Sequence, residues 1–215
     1  MSKIALVPII CILSGMATAM FAATLEGTVK LPSPHAAGIS SGKYQVKAGA
    51  VVAHPEPTLA VVYLEGDFPA ASGDAQTNGV ELPQKGFQFA RSVLPVRVGT
   101  RVTFPNKDED YHNVFSYSKP KRFDLGRYRR DEEAAAIVFD KPGVVKLFCE
   151  IHEHMRATIL VLDTPYFVLT NPSGVFKMEN LPAGKFTLKV WLDEKHVLEK
   201  QVELVEGTLA KVEFN

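Results

Sequence analysis

Short apolar runs with period-two alternation recur along the chain, and clusters of Gly, Pro, Asn and Ser separate them. Period two marks a half-buried strand, because successive side chains point to opposite faces. The pattern predicts strands over 25–31, closed by Pro32, and over the buried run 59–64. A denser set follows at 80–82, 93–98, 102–104, 112–116, 136–139, 144–149 and 158–162, with turns at Gly99-Thr100 and Lys141-Pro142-Gly143. The tail predicts five more, at 166–169, 175–178, 186–192, 201–205 and 209–214, with turn chemistry at Asn171-Pro172-Ser173-Gly174 and Pro182-Ala183-Gly184. Residues 32–57 and 67–79, rich in small and turn-forming residues, read as long connectors. With no fixed-period repeat and no heptads, the chain is expected to be all-β, in two β units.

The first two dozen residues follow a different rule. Lys3, an apolar stretch over 4–13 and the small residues Ala17-Thr18-Ala19 match a secretory leader with an A-x-A cleavage site, and cleavage after Ala22 or Ala23 would serve as well. The alternative is an uncleaved anchor, since 4–23 reaches the ~20 residues a membrane helix needs; Ser14, Gly15 and Thr18 weaken that helix. No membrane contact is expected beyond this segment, and the expected location is periplasmic or secreted. The formal net charge is +0, which gives no support to nucleic-acid binding. Of the two cysteines, Cys11 lies in the leader and would leave with it. That leaves Cys149 alone in an oxidising compartment, where it can serve as a dimer bridge, a reactive thiol or a metal ligand.

The neighbours of Cys149 bear on that choice. Cys149-Glu150-Ile151-His152-Glu153-His154-Met155 sets thiolate, imidazole and thioether at i, i+3 and i+6, directly after a strand. Sulfur ligands with imidazole select copper over hard cations, and two His with one Cys and a weak axial Met form the blue-copper set. The second imidazole must come from elsewhere, and His112, opening the run H-N-V-F-S, is the natural donor. The expected metal ligands are therefore His112, Cys149, His152 and Met155, holding one copper ion per chain. A buried structural cysteine and a zinc site using His154 are the competing readings; zinc would leave Met155 without a role. His154 is otherwise a solvent-facing neighbour, and His35, His54 and His196 read as surface.

C-x-x-H-x-x-M preceded by H-N-V resembles the amicyanin branch of the cupredoxins, the plastocyanin-like proteins, and the likeness extends over 80–163 through Val93–Gly99, Val102-Thr103-Phe104 and Pro142-Gly143. The resemblance implies a Greek-key β-sandwich, an exported copper protein of the methylamine-utilisation type, an electron port at the edge of His152, and a hydrogen bond from Asn113 supporting the thiolate. Ile151 stands where relatives carry Pro, and Glu150, Glu153 and His154 make the loop more polar than its relatives. The resemblance also places the loop before His112 beside the ligand loop, so that Asp108, Glu109, Asp110, Glu150 and Glu153 are expected to form an acidic collar. The basic stretch from Lys119 to Arg130 is expected to be a solvated face, with partner docking as its alternative.

In the tail, Ser173-Gly174-Val175-Phe176 and Asn180-Leu181-Pro182-Ala183-Gly184-Lys185-Phe186 with alternating Leu188 and Val190 resemble carboxypeptidase regulatory-like (transthyretin-like) sandwiches. Such modules open with a G-x-V strand, here Gly27-Thr28-Val29, and then an apolar strand at 60–64. The expected organisation is a leader over 1–23, a split sandwich over 24–79 and 164–215, and a cupredoxin domain over 80–163 inserted in or next to it. The expected function is one-electron carriage to a redox partner protein, a cytochrome or a dehydrogenase, with no enzymatic activity. The alternatives are a periplasmic copper-binding chaperone without fast electron transfer, and a structural β protein whose site is vestigial or zinc-filled.

Overall fold

Alternation becomes strand, and the strands pair into four sheets. The computed structural model describes residues 22–32, 58–68, 79–132 and 136–215, and the described residues are all-β, with no helix. Most of the expected leader and of the 32–57 connector, with His35 and His54, falls outside the described residues. Ala23, at the boundary of the expected leader, is the first residue of a strand, buried and paired with Leu181.

One sandwich is built from both ends of the chain. Its strands are β1 (Ala23–Val29), β2 (Val61–Glu65), and a later set not met until the chain returns: β11 (Phe167–Leu169), β12 (Val175–Leu181), β13 (Gly184–Trp191), β14 (Val197–Leu204) and β15 (Leu209–Phe214). They form sheets of order β12-β1-β15 and β11-β2-β13-β14, and their inner faces meet in a core that includes Leu25, Leu64, Phe176, Leu188 and Phe214. The segment between β2 and β11 forms the other sandwich, from β3 (Val80–Glu81), β4 (Val93–Arg97), β5 (Thr100–Thr103), β6 (His112–Tyr117), β7 (Arg122–Tyr128), β8 (Ala136–Phe139), β9 (Gly143–Phe148) and β10 (Arg156–Leu162). Its sheets run β4-β10-β9-β6-β7 and β3-β5-β8, around Leu82, Phe104, Phe139, Leu147 and Ile159. The two strands that flank this excursion are hydrogen-bonded neighbours, with Tyr63 opposite Phe167 and Val61 opposite Leu169.

β10 departs from simple alternation for a physical reason. Ile159 and Val161 face the core of their own sandwich, while Leu160 and Leu162 meet Val61, Val93 and Trp191 in a third cluster joining the two sandwiches. A strand buried on both faces reads as a continuous apolar run. β7, by contrast, lies in the stretch expected as a charged face. Phe123 and Leu125 pack on the core and Tyr128 is buried, but Gly126, at φ +68, breaks the period and the outward residues carry charge. His196 sits in the β13–β14 turn, exposed and paired with Asp193.

Gly174 closes the Asn171–Gly174 turn, donating its N–H to the Asn171 carbonyl at 2.9 Å with φ at +80. A Cβ there would lie 2.0 Å from the Val29 carbonyl oxygen. Gly174→Ala therefore combines backbone strain with overpacking and is expected to cost about 2–4 kcal/mol, read as a lower urea midpoint at unchanged slope.

Candidate metal centre

β6 and β9 are neighbours in the five-stranded sheet, paired at Phe115 and Phe148, and this brings two chemistry-bearing ends together. His112 opens β6 and is fully buried; Cys149 follows β9 and is buried at 3% exposure. His152 sits in the connection from β9 to β10, half-buried, where a turn from the Met155 N–H to the His152 carbonyl (2.9 Å) folds the loop back. The ligating atoms of His112, Cys149 and His152 all lie within 4.8 Å of one another. The two Nδ1 atoms face each other at 3.2 Å, and Cys149 Sγ lies 3.9 Å from His152 Nδ1. Met155, the fourth expected ligand, is completely buried in the same core cluster as Cys149. His154 is not in this group: its Nε2 meets the Phe87 carbonyl at 2.9 Å.

The surroundings set the proton positions. His112 Nε2 lies 2.9 Å from Asp108 Oδ2, and a carboxylate only accepts, so Nε2 carries the proton and Nδ1 is the free position. Burial opposes charge on His112, but hydrogen bonding to Cys149 and Asp108 outweighs it and raises the imidazole above its ordinary value. Burial likewise pushes the Cys149 thiol up; the His112 side chain and the N–H groups of Asn113, His152 and Ile151 prevail and hold it below its usual range. Both shifts favour the charged forms, imidazolium beside thiolate, and a cation binding these atoms would displace protons. His152 is lowered, first by burial and then by the charges of His112 and His154. The support expected from Asn113 comes from its backbone. Its buried side chain instead donates to Asp124 Oδ1 (2.7 Å) and the Gly126 carbonyl (3.1 Å) and accepts from the Glu150 N–H (3.3 Å), tying β7 and the ligand loop to β6.

The acidic collar does not form as expected. Asp108 turns inward, also accepting from the N–H groups of Gly86 (2.8 Å) and Phe87 (3.0 Å). Glu150 pairs with Arg127 of β7 and Glu109 with Arg130 just beyond it, both at 2.7 Å, so two of the expected acids are neutralised by the basic stretch. A concavity of about 520 Å³ beside His152 is lined by Asp110, Tyr111, Arg127 and Ile151, a rim of mixed charge with apolar surface. Two neighbours escaped the sequence reading. Phe87 sets its ring edgewise to His112 and His152, at centroid distances of 5.8 and 5.0 Å. Gln84 donates to the Tyr128 hydroxyl (2.7 Å), which donates to the Phe104 carbonyl (2.6 Å) beneath the site. The Asp108–His112 spacing of i, i+4 was a signal available in sequence.

The Asp108–His112 pair makes metal-free stability depend on pH. A raised histidine contributes fully below its ordinary value of ~6.5, and this is lost as pH rises through the raised value. Asp108 opposes burial through the N–H groups of Phe87 and Gly86 and through His112, and is lowered, so its contribution is lost as pH falls through the lowered value. Asp108→Asn should therefore destabilise the metal-free protein by about 1–3 kcal/mol at pH ~6 and by less at pH ~9, measured by urea unfolding.

No protein-family model matches the chain, and no curated protein does. Among solved structures it is similar to a copper-containing nitrite reductase from Thermus scotoductus SA-01, at 28% identity and a TM-score of 0.38, over 40% of this chain and 23% of that one. The chain thus spans less than a quarter of that reductase. It is similar also to a reduced Cu(I) amicyanin variant at pH 4, at 20% identity and a TM-score of 0.37, over 47% of this chain and 98% of that one. A second Cu(I) amicyanin variant matches at 19% identity over the same shares, with a TM-score of 0.37.

Proposed function

We propose that this chain is an exported mononuclear copper protein that carries single electrons between redox proteins. The observation that carries the reading is the convergence of two imidazole nitrogens and one thiol, all within 4.8 Å, in a core that also holds a buried methionine. These donors fit copper: thiolate, thioether and imidazole favour it over hard cations, and zinc would leave Met155 unused. His112, Cys149, His152 and Met155 would hold the ion, which when bound would supply a one-electron couple.

The chain's own residues account for the rest. Asp108 holds the tautomer of His112, and the backbone N–H groups around Cys149 stabilise its thiolate. His152 borders the concavity beside Tyr111 and Ile151, which suits it to exchange electrons with a docked cytochrome or dehydrogenase. Four protein ligands leave no coordination position for a substrate, which favours a carrier over an enzyme. Residues 80–163 are the proposed copper-binding unit, with 24–79 and 164–215 as its companion sandwich. Export rests on the leader pattern at the N-terminus. Among the described residues no helix is long and apolar enough to cross a membrane.

Titration of the purified protein with Cu(II) is expected to give an intense visible thiolate-to-copper band at one equivalent. Cys149→Ser should abolish the band and weaken uptake, because a hydroxyl is a hard, poorly ionised substitute. Met155→Leu should keep the band and raise the reduction potential, since a lost axial donor stabilises the oxidised ion less. A serine variant that still shows the band would exclude the thiolate ligand.

A further inference from the structure

The hairpin before the site contains an anomaly that its own fold does not require. Gln84 bridges Phe89, the Lys85 N–H meets the Gln88 carbonyl at 2.9 Å, and the two residues at the tip, Gly86 and Phe87, have φ of 66 and 60. Positive φ at both central positions is the pattern of a type I′ turn, in which glycine and asparagine are favoured and a bulky aromatic is an outlier. Phe87 is not needed to anchor the hairpin. Phe89 is buried at 2% in the core and Gln84 is fully buried, whereas Phe87 is only partly buried and lies outside the core cluster.

The surroundings nevertheless hold Phe87 from several sides. Its N–H donates to Asp108, whose same Oδ2 takes the Nε2–H of His112. Its carbonyl accepts from Nε2 of His154, on the ligand loop. Held in this way, its ring stands perpendicular to both imidazoles, with interplanar angles of 87° to His112 and 75° to His152. Strain that persists because surrounding structure over-determines it is concentrated at functional sites. His112 is fixed by Asp108 and by complete burial, but His152 lies on a loop and is only half-buried, so the ring that packs on it restricts its rotation.

We propose that Phe87 is a positioning residue of the metal centre: the strained hairpin tip presses its ring against the imidazoles, holds His152 in its ligating orientation and closes that side of the site to small exogenous ligands. The inference rests on the copper reading above for its second half, and on His152 alone for its first. Phe87→Gly removes the ring and the unfavourable φ together while keeping the N–H and carbonyl bonds of the turn. Phe87→Leu keeps bulk and strain but loses the aromatic edge.

The test uses the full chain in both metal-free and copper-loaded forms. In the metal-free protein, Phe87→Gly is expected to leave the Tm unchanged or higher, while NMR shows the His152 ring signals broadened by exchange. In the copper-loaded protein, millimolar azide should perturb the visible spectrum of Phe87→Gly but not of wild type. Copper should also pass to a chelator ~10-fold faster from Phe87→Gly, with Phe87→Leu between the two. A His152 ring as sharp as in wild type, together with an unchanged azide response, overturns the proposal whatever the Tm does. A wild-type protein that takes up no copper overturns the copper reading and the closure with it. The metal-free NMR comparison then still decides whether Phe87 orients His152.

Discussion

The carboxylate of Asp108 accepts hydrogen bonds from Gly86 and Phe87 on one hairpin and from His112 on the strand that opens the site. Its own N–H is held by Asn106 Oδ1 at 2.8 Å, and Asn106 in turn donates to the carbonyls of Asp110 and Tyr128. A fully buried imidazole with an unmet N–H would be costly, so this acceptor is the condition for placing His112 in the core. Once Nε2–H is satisfied, Nδ1 is left to face Cys149 and His152. The facing of the two rings and, through Gly86 and Phe87, the posture of the hairpin follow from that arrangement.

Sequence reasoning reached the strands wherever alternation ran unbroken, and it reached the Cys149 loop because three donors sit within one short segment. It failed where contacts join segments distant in the chain. Asp108 reads as one of three solvated acids until the 84–89 hairpin folds over it. Glu150 reads as a free carboxylate because Arg127 belongs to a strand disguised by its outward charges and by the Gly126 break. The collar implied by the resemblance thus becomes, in part, ion pairs of the loops with Arg127 and Arg130 of the basic stretch. Phe87 was missed for a different reason: nothing in a local pattern favours an aromatic at positive φ, so only the tertiary contacts that hold it there reveal it.

The five-stranded sheet is asymmetric in what covers it. Where β4 and β10 run, its outer face is packed against Val61 and Trp191 of the companion sandwich. Toward β6, β7 and β9 the same face carries Phe115, Phe148 and the exposed Tyr117, with Arg122 over the Tyr117 ring and Arg156 over Phe148. The face is therefore apolar and covered on one side and amphipathic on the other, and the Lys146–Glu194 pair at 2.7 Å links the two sandwiches.

The adjacency of β2 and β11 has a kinetic meaning. To the host sheet, the entire eight-stranded excursion is one loop, closed by the β2–β11 contact. A disordered guest would oppose that closure through chain entropy, whereas a folded guest has already lost most of that entropy before β2 and β11 meet one strand spacing, ~4.8 Å, apart. Assembly then has a natural order, guest before host, and the slow step of the whole chain lies in the guest's own long-range pairings. Whatever binds and steadies the guest would act as a folding template for the host as well, so the companion sandwich is coupled to the site although none of its described strands supplies a residue there.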